Sequence, residues 1–349
     1  MPKRLPAEAP VDVVMESPAM TNMDVLGCLI HFVPEKQFLF FAPVSTTWKA
    51  AWGQRASQTS IVSHDSSAAQ LRYSFENGLQ PDDRLICRKL SARGKLEALK
   101  CARRYGCDWE ACTCALAARH GHLAVIKWAT KNGCPWGNCT CDFAALGGQI
   151  AVLKWARKNG CDWDWNTTAN AARAGQLAAL KWLRKNGCPW DSTTCSIAAE
   201  EGQLAVLKWA RKNGCPWNEE TCYEAAGAGH LEVLEWARQN GCPWNESTCF
   251  AAAEGGHLAV LQWARRHGCP WNEGTCFGAA REGHLDVLQW ARENGCPWDD
   301  DACLAAAENG HLAVLEWLVE NGCPWRVTQC FRAANVGRHN DIVEWMKEG

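Results

Sequence analysis

The stretch GCPWNEETCYEAAGAGHLEVLEWARQN, residues 214–240, decides the fold of this chain because close copies of it recur along the sequence. A glycine marks the start of each copy at intervals of 27 residues: Gly106, Gly133, Gly160, Gly187, Gly214, Gly241, Gly268, Gly295 and Gly322. A fixed period of this length is typical of a solenoid, in which similar units stack and each unit contacts its neighbours. The period therefore predicts a stacked array over most of the chain.

The first half of the unit has the pattern of a short helix. Asn218 stands where an N-cap is expected, since its side chain can accept a hydrogen bond from a backbone N–H of the first turn. Cys222, Ala225 and Ala226 fall at positions i, i+3 and i+4 and so form one face of small residues. Gly229 then ends the helix in the left-handed conformation that glycine tolerates. Small facing residues would allow the next unit to pack closely.

The second half of the unit predicts another helix, over residues 230–239. Leu234 and Trp236 belong to its apolar side. Gly241 ends this helix, and Pro243 cannot continue it. Each unit is therefore predicted to be a helical hairpin, which would be marginal alone and gains its stability from stacking.

This unit resembles an ankyrin repeat. The segment GHLEVLEWARQNGCPWN matches the family's G-H-L-E-V-V-x-L-L-L-x-x-G-A-D-V-N pattern, and the resemblance extends over residues 79–349. It implies an all-α, ankyrin-like solenoid of stacked helix-turn-helix repeats that binds protein partners. The period of 27 is shorter than the family's 33. We expect the missing residues to come from the β-hairpin between repeats.

The N-terminal part has a different composition and predicts three further regions. Residues 1–18 are rich in Pro and Ala and predict a disordered arm, residues 19–52 a small helical segment, and residues 53–66 a polar linker before the solenoid of residues 67–349. The sequence VLGCLIHFVPEKQFLFFAPVSTTWKAAW, residues 25–52, resembles an F-box. The resemblance implies a face that docks on the linker subunit of an SCF-type ubiquitin ligase, and through it on the cullin. That face would comprise Val25, Leu26, Leu29, Ile30, Val44 and Trp48. The alternative is a plain helical cap over the first repeat.

Composition narrows the class of protein. The chain has 22 Cys and 21 Trp, most of them on the repeat. A disulfide framework of that size belongs to small secreted domains, whereas residues 1–14 contain no apolar signal segment. No apolar run approaches the roughly 20 residues that a membrane helix needs. We expect reduced thiols, no membrane segment and an intracellular protein of the cytoplasm, the nucleus or both.

Recurring histidines and cysteines could suggest chemistry, but their positions favour structural roles. The histidines of the Gly-His-Leu motif are replaced by Gln149, Gln176 and Gln203 in other copies, which a metal ligand would not allow. The cysteines are expected to pack as small apolar residues. One remote alternative is a zinc- or redox-responsive protein, with four thiols meeting at the C-x-C pairs of residues 112–114 and 139–141. No catalytic motif is present, so we expect no enzyme activity and no cofactor.

Positions that vary between copies are where a partner would bind. A basic column (Lys127, Lys154, Lys181 and Lys208, with Arg157, Arg184 and Arg211) and an aromatic column (Tyr223, Phe250 and Phe277) are the candidates. Residues 106–213 carry 13 Lys and Arg against 8 Asp and Glu, whereas residues 214–349 carry 9 against 20. This asymmetry favours an acidic partner on the first half or a basic one on the second, the alternatives being a solvated ridge and a stacking core.

The leading hypothesis from these patterns is a substrate-recruiting adaptor of an SCF-type ubiquitin ligase, in which the solenoid holds the protein to be ubiquitinated. The alternative is an ankyrin-type scaffold with no ubiquitin role. We expect a monomer. Nucleic acid is not the expected ligand, because we expect no aromatic rings to interleave with the basic residues on the surface.

Overall fold

The computed structural model describes residues 67–76, 78–79 and 85–348 of the chain. The predicted disordered arm, the F-box-like segment with Val25, Leu26, Leu29, Ile30, Val44 and Trp48, and the linker all lie outside the described residues. None of the described helices is long and apolar enough to cross a membrane.

The chain divides into two compact units, Met1–Trp109 and Glu110–Gly349. The described part of the first unit contains α1 (Ala68–Glu76), α2 (Leu85–Ala92) and α3 (Leu96–Arg104). Its core is formed by leucines from all three helices, including the completely buried Leu71, Leu90 and Leu99. The predicted solenoid boundary at residue 67 stays a prediction.

The described residues of the second unit form nine helical hairpins. Their helices are α4 (Ala111–Arg119), α5 (Leu123–Lys131), α6 (Asn138–Leu146), α7 (Ile150–Lys158), α8 (Trp165–Arg173), α9 (Leu177–Lys185), α10 (Ser192–Glu200), α11 (Leu204–Lys212), α12 (Glu219–Gly227), α13 (Leu231–Gln239), α14 (Glu246–Glu254), α15 (Leu258–Arg266), α16 (Glu273–Arg281), α17 (Leu285–Glu293), α18 (Asp300–Asn309), α19 (Leu312–Glu320), α20 (Val327–Gly337) and α21 (Asn340–Glu348). We call the even-numbered helices of this unit the first helices and the odd-numbered ones the second helices. No strand occurs among the described residues, so the predicted all-α, ankyrin-like solenoid is confirmed there.

Stacking in the second unit takes place mainly between first helices. Each of them packs against the first helix of the next repeat as well as against its own second helix. The facing residues are small, as predicted: Cys222, Ala225 and Ala226 of α12 are completely buried. The second helix closes the hairpin with larger side chains, such as the completely buried Leu234 of α13. Small residues on one helix and leucine on the other therefore allow close stacking without loss of apolar burial.

The turn after each second helix is closed by hydrogen bonds that the sequence predicts. Gly241 has a φ of 81°, and the N–H of Cys242 donates to the Ala237 carbonyl over 3.0 Å. The Asn240 side-chain amide donates to the Trp236 carbonyl over 2.8 Å. Together these bonds satisfy carbonyls that the end of the helix would otherwise leave unpaired. The six-residue link to the next first helix is a turn, in place of the β-hairpin of the ankyrin family.

The predicted N-cap bond forms at the equivalent position in most repeats, but it does not form at Asn218. The side chains of Asp191 and Asn245 accept from the second N–H of the following helix over 3.0 and 3.1 Å. Asn218 occupies the same extended backbone position, yet its side chain makes no capping bond and its Oδ1 is buried without a partner. Nothing in the structure explains why this repeat differs.

Candidate interaction surface

An arginine in the last turn of the helix lies over the tryptophan of the turn that follows. The guanidinium carbon stands 4.0–4.5 Å from the indole centroid in seven turns, each within one unit. The pairs are Arg103–Trp109, Arg157–Trp163, Arg184–Trp190, Arg211–Trp217, Arg238–Trp244, Arg265–Trp271 and Arg292–Trp298. Such cation–π pairs are attractive because the ring face carries negative charge.

The same arginines also close the turn through a hydrogen bond. Nη1 of Arg292 donates to the Cys296 carbonyl over 3.1 Å, and Arg211 donates to the Cys215 carbonyl in the same way. Arg157, Arg184 and Arg211 were expected to form part of a basic surface ladder, and this stays a prediction: each guanidinium is engaged with a turn tryptophan, while the Arg157 side chain is still 47% exposed. Because these guanidinium groups also serve the fold, the lysines of the column are the stronger candidate contact residues.

In the second unit, eight turn tryptophans also contact the tryptophan of the second helix in their own repeat. Trp217 and Trp236 have centroids 5.9 Å apart and rings inclined by 63°, an edge-to-face arrangement. The same pairing recurs from Trp136–Trp155 to Trp325–Trp345, at 5.3–6.1 Å. A turn tryptophan such as Trp217 is thus covered by an arginine on one face and contacted by an indole. The aromatic rings do interleave with basic residues in space, contrary to the sequence-based expectation, but both are engaged inside the protein.

The histidines of the Gly-His-Leu motif pack against the preceding repeat. The His257 ring covers Gly229 so closely that a Cβ added there would stand 2.7 Å from the ring. Nε2 of His311 lies 3.0 Å from the Arg281 carbonyl oxygen, one repeat earlier. The predicted structural role of this column is therefore confirmed.

Most of the described cysteines are buried thiols, and those of the turns contact the preceding turn. Sγ of Cys242 lies 3.4 Å from the Asn218 carbonyl oxygen of the preceding turn. A hydrogen bond with Cys242, and burial, raise the pKa of Cys222, while burial raises the pKa of Cys188 to about 12. Thiols held neutral in this way are poor nucleophiles and poor metal ligands.

The remote zinc alternative gains no support from the part of the chain that the structure describes. There, no group of three or more His, Cys, Asp or Glu side chains could hold a metal ion. Cys114 and Cys141 are completely buried, whereas Cys112 and Cys139 are half-exposed. Burial and the nearby Asp142 carboxylate raise the pKa of Cys139.

The predicted lysine column is fully on the surface. Lys127, Lys154, Lys181 and Lys208 are exposed at the same position of four successive second helices. Sequence analysis missed a second row one turn further on, also exposed: Lys131, Lys158, Lys185 and Lys212. The spacing of four residues could have revealed this row, because residues four apart share one side of a helix. We refer to these eight residues as the lysine ridge.

The predicted aromatic column lies on first helices and is half-buried. The ring of Phe250 packs beside Gly278 of the next first helix, where an added Cβ would stand 3.2 Å from it. Phe277 lies 5.9 Å from the Arg281 guanidinium. Phe250 therefore belongs to the packing between repeats, and a partner-binding role for Tyr223, Phe250 and Phe277 stays a prediction.

Carboxylates near this column are close enough to influence one another. Burial, and then the charges of Glu200 and Glu220, raise the pKa of Glu224. Arg173 offsets part of this repulsion, since its guanidinium lies 3.6 Å from Glu200 and 2.9 Å from Glu201. The first helices thus carry acidic residues, in contrast to the lysine ridge.

Comparison with known proteins adds little to this description. No protein-family model matches the chain, and neither does any curated protein. Among solved structures, the chain is similar to the ankyrin repeat domain of human ASB11, with 18% sequence identity and a TM-score of 0.38. The match covers 45% of this chain and 84% of that chain. A likeness of this size identifies neither a partner nor an activity.

Proposed function

We propose that this chain is a protein-interaction solenoid that recruits substrates to an SCF-type ubiquitin ligase. One observation carries the interaction part. The residues that recur in the second unit are engaged inside the protein: arginines on tryptophans, histidines on glycines, and asparagines on helix carbonyls. Some exposed positions, by contrast, differ from repeat to repeat: the last residue of the second helix is Lys212, Gln239, Arg266 and Glu293 in four successive repeats. An exposed surface that varies on a constant scaffold is what a partner can select.

The ligase part of the proposal rests on the F-box resemblance of residues 25–52. Val25, Leu26, Leu29, Ile30, Val44 and Trp48 would form the face that docks on the SCF linker subunit. The solenoid would hold the substrate protein. Such an adaptor needs no chemistry of its own, because tethering raises the concentration of the substrate near the transferring enzyme.

A matched pair of variants of the full chain tests this proposal. Leu26→Asp/Leu29→Asp places two charges in the predicted docking face. Val327→Asp/Val336→Asp places two charges at apolar positions that are already 50% and 86% exposed. We expect the wild type and the control to bind a purified linker subunit–cullin complex, and the first variant to lose binding while keeping its circular dichroism spectrum.

Two results would contradict the ligase part. If Leu26→Asp/Leu29→Asp bound the complex as the wild type does, the predicted face would not be the docking face. If the wild type failed to bind and the variant unfolded at lower temperature than the control, residues 19–52 would act as a helical cap. The chain would then be an interaction scaffold with no ubiquitin role.

A further inference from the structure

The lysine ridge is unusual in having no acidic residue within the helices that carry it. Helices α5, α7, α9 and α11 contain eleven Lys and Arg and no Asp or Glu. Three of these eleven are the arginines that cover tryptophans, which leaves the eight exposed lysines. Among the described residues, no ion pair joins a ridge lysine to a carboxylate. Like charges are thus concentrated on one face; the internal partner of Lys208 is the Trp236 ring, whose centroid lies 6.0 Å from Nζ of that lysine.

The ridge has a regular geometry that follows from the repeat. Packed helices stand roughly 8–10 Å apart, so successive rungs are separated by about that distance. Within a rung the two lysines are one helical turn apart, about 6 Å along the axis. An extended peptide advances about 10 Å in three residues, which is about the distance between rungs. A peptide with a carboxylate at every third residue would therefore place one carboxylate near each rung.

The ridge ends sharply on its C-terminal side, and this limits how far a ligand can extend in that direction. The next second helix has Glu235 in place of the lysine, and later helices have Gln262, Gln289 and Glu316. Residues 214–349 carry 20 Asp and Glu against 9 Lys and Arg, so a polyanion that continued past α11 would meet repulsion. Four rungs at about 10 Å accommodate roughly a dozen extended residues.

The tryptophans beside the ridge argue for a peptide and against a single-stranded nucleic acid. Single strands are bound by stacking their bases on free aromatic faces. Here the Trp217 ring has the Arg211 guanidinium over its face and the Trp236 ring at 5.9 Å. A long duplex would extend beyond the four rungs toward the acidic repeats. Charge and length together therefore match a short acidic protein segment.

We infer that the lysine ridge binds an extended, acidic segment of about a dozen residues from a protein partner, with one carboxylate near each rung. The inference rests on the proposed interaction function and names the chemistry of its partner. Contacts of this kind select by charge and spacing. They give fast, salt-sensitive association.

Fluorescence anisotropy with a defined peptide tests the inference on the full chain. The probe is a labelled twelve-residue peptide that repeats Glu-Gly-Ser, so that its carboxylates are spaced by three residues. The ridge variant replaces Lys127, Lys154, Lys181 and Lys208 by Gln, which the chain itself has at residues 262 and 289. The control replaces four exposed cations elsewhere by Gln: Arg119, Arg266, Arg332 and Lys347. The two variants have the same net charge.

We expect the ridge variant to bind the peptide about 40-fold more weakly, from roughly 2.5-fold for each of the four exposed ion pairs. The control should lose less than about threefold, since it keeps every rung and differs from the wild type only in distant charge. The double substitution Glu235→Lys/Gln239→Lys adds a fifth rung. It should strengthen binding of a fifteen-residue Glu-Gly-Ser peptide more than that of the twelve-residue one.

Three results would overturn the inference: equal weakening in both variants, no binding of the peptide by the wild type at low salt, or tighter binding of a twelve-base-pair DNA duplex than of the peptide. The same preparations are tested for capture of the SCF linker subunit. If they capture the linker but do not bind the peptide, only the ridge inference fails. If they bind the peptide but do not capture the linker, only the adaptor proposal fails.

Discussion

Arg265 and Arg266 are adjacent in α15, carry the same charge and differ in their surroundings. The Arg265 guanidinium lies 4.0 Å from the Trp271 centroid and donates to the Cys269 carbonyl. Arg266 is exposed. Replacing Arg265 by alanine should therefore destabilise this turn, whereas the same replacement at Arg266 should have little effect.

The magnitude follows from the two contacts that Arg265 makes. A partly exposed cation–π pair contributes about 0.5–1 kcal/mol. A hydrogen bond from a charged donor contributes about 1.5–3 kcal/mol, and the lower end applies here because the group is only half-buried. Alanine regains a few tenths of a kcal/mol through its helix propensity. We expect Arg265→Ala to cost about 2 kcal/mol and Arg266→Ala less than about 0.5 kcal/mol.

Hydrogen exchange measured by mass spectrometry is the suitable assay, because repeat proteins can open locally and 21 tryptophans blur a fluorescence signal. Amides of residues 264–276 should exchange faster in Arg265→Ala than in the wild type. In Arg266→Ala they should exchange at the wild-type rate. Arg265→Lys should lie between them, since lysine keeps the charge but loses the planar fork. Equal effects of the two alanine variants would refute the assigned role of the guanidinium.

The remaining predictions concern the turns, the thiols and one carboxylate. Gly241→Ala should lower the free energy of urea unfolding by about 1–2 kcal/mol, because the glycine has a left-handed backbone conformation. Gly229→Ala should lower it further, because its added Cβ would also meet the ring of the histidine packed over it. Brief alkylation at pH 8, followed by mass spectrometry of peptides, should label Cys112 first among the described cysteines. Cys139 should react more slowly, since its pKa is raised. Labelling of the buried thiols before these two would contradict this prediction. The folded-state pKa of Glu224 is raised, so the folded chain binds more protons there, and stability falls as pH rises through the interval between the unfolded and folded pKa values. Glu224→Gln should therefore raise the Tm at pH 7 and have no effect below about pH 4, where both states bind the proton.

Much of the fold follows from the sequence because its determinants are local. The left-handed Gly241, the small residues around Cys222 and the asparagines of the caps act within a few residues of chain, and the period repeats each of them. Asn218 has the right pattern and the right backbone position and still makes no capping bond, so the pattern predicts where the helix starts but not each side-chain contact.

The arginine–tryptophan contact could not be predicted in the same way. Arg211 and Trp217 are six residues apart, a spacing that places them on no common face of a helix. Only the left-handed glycine of the turn folds the tryptophan back beneath the guanidinium. The recurring spacing was visible in the sequence, but its meaning depends on the path of the turn. For this reason the arginines were first grouped with Lys208, although their contacts are internal.

The position that holds the exposed Lys208 in α11 and the half-buried Glu235 in α13 indicates how such a chain can change partners. The two helices bury equivalent apolar residues and end in equivalent turns, so the fold tolerates either charge at this position. In a stack, stability is approximately a sum over repeats and over contacts between neighbours, and a substitution outside those contacts leaves the sum nearly unchanged. Two substitutions in one repeat, at the positions of Lys208 and Lys212, can therefore move the end of the lysine ridge by a whole rung, which would change the length of the acidic segment it binds while the solenoid keeps its stability.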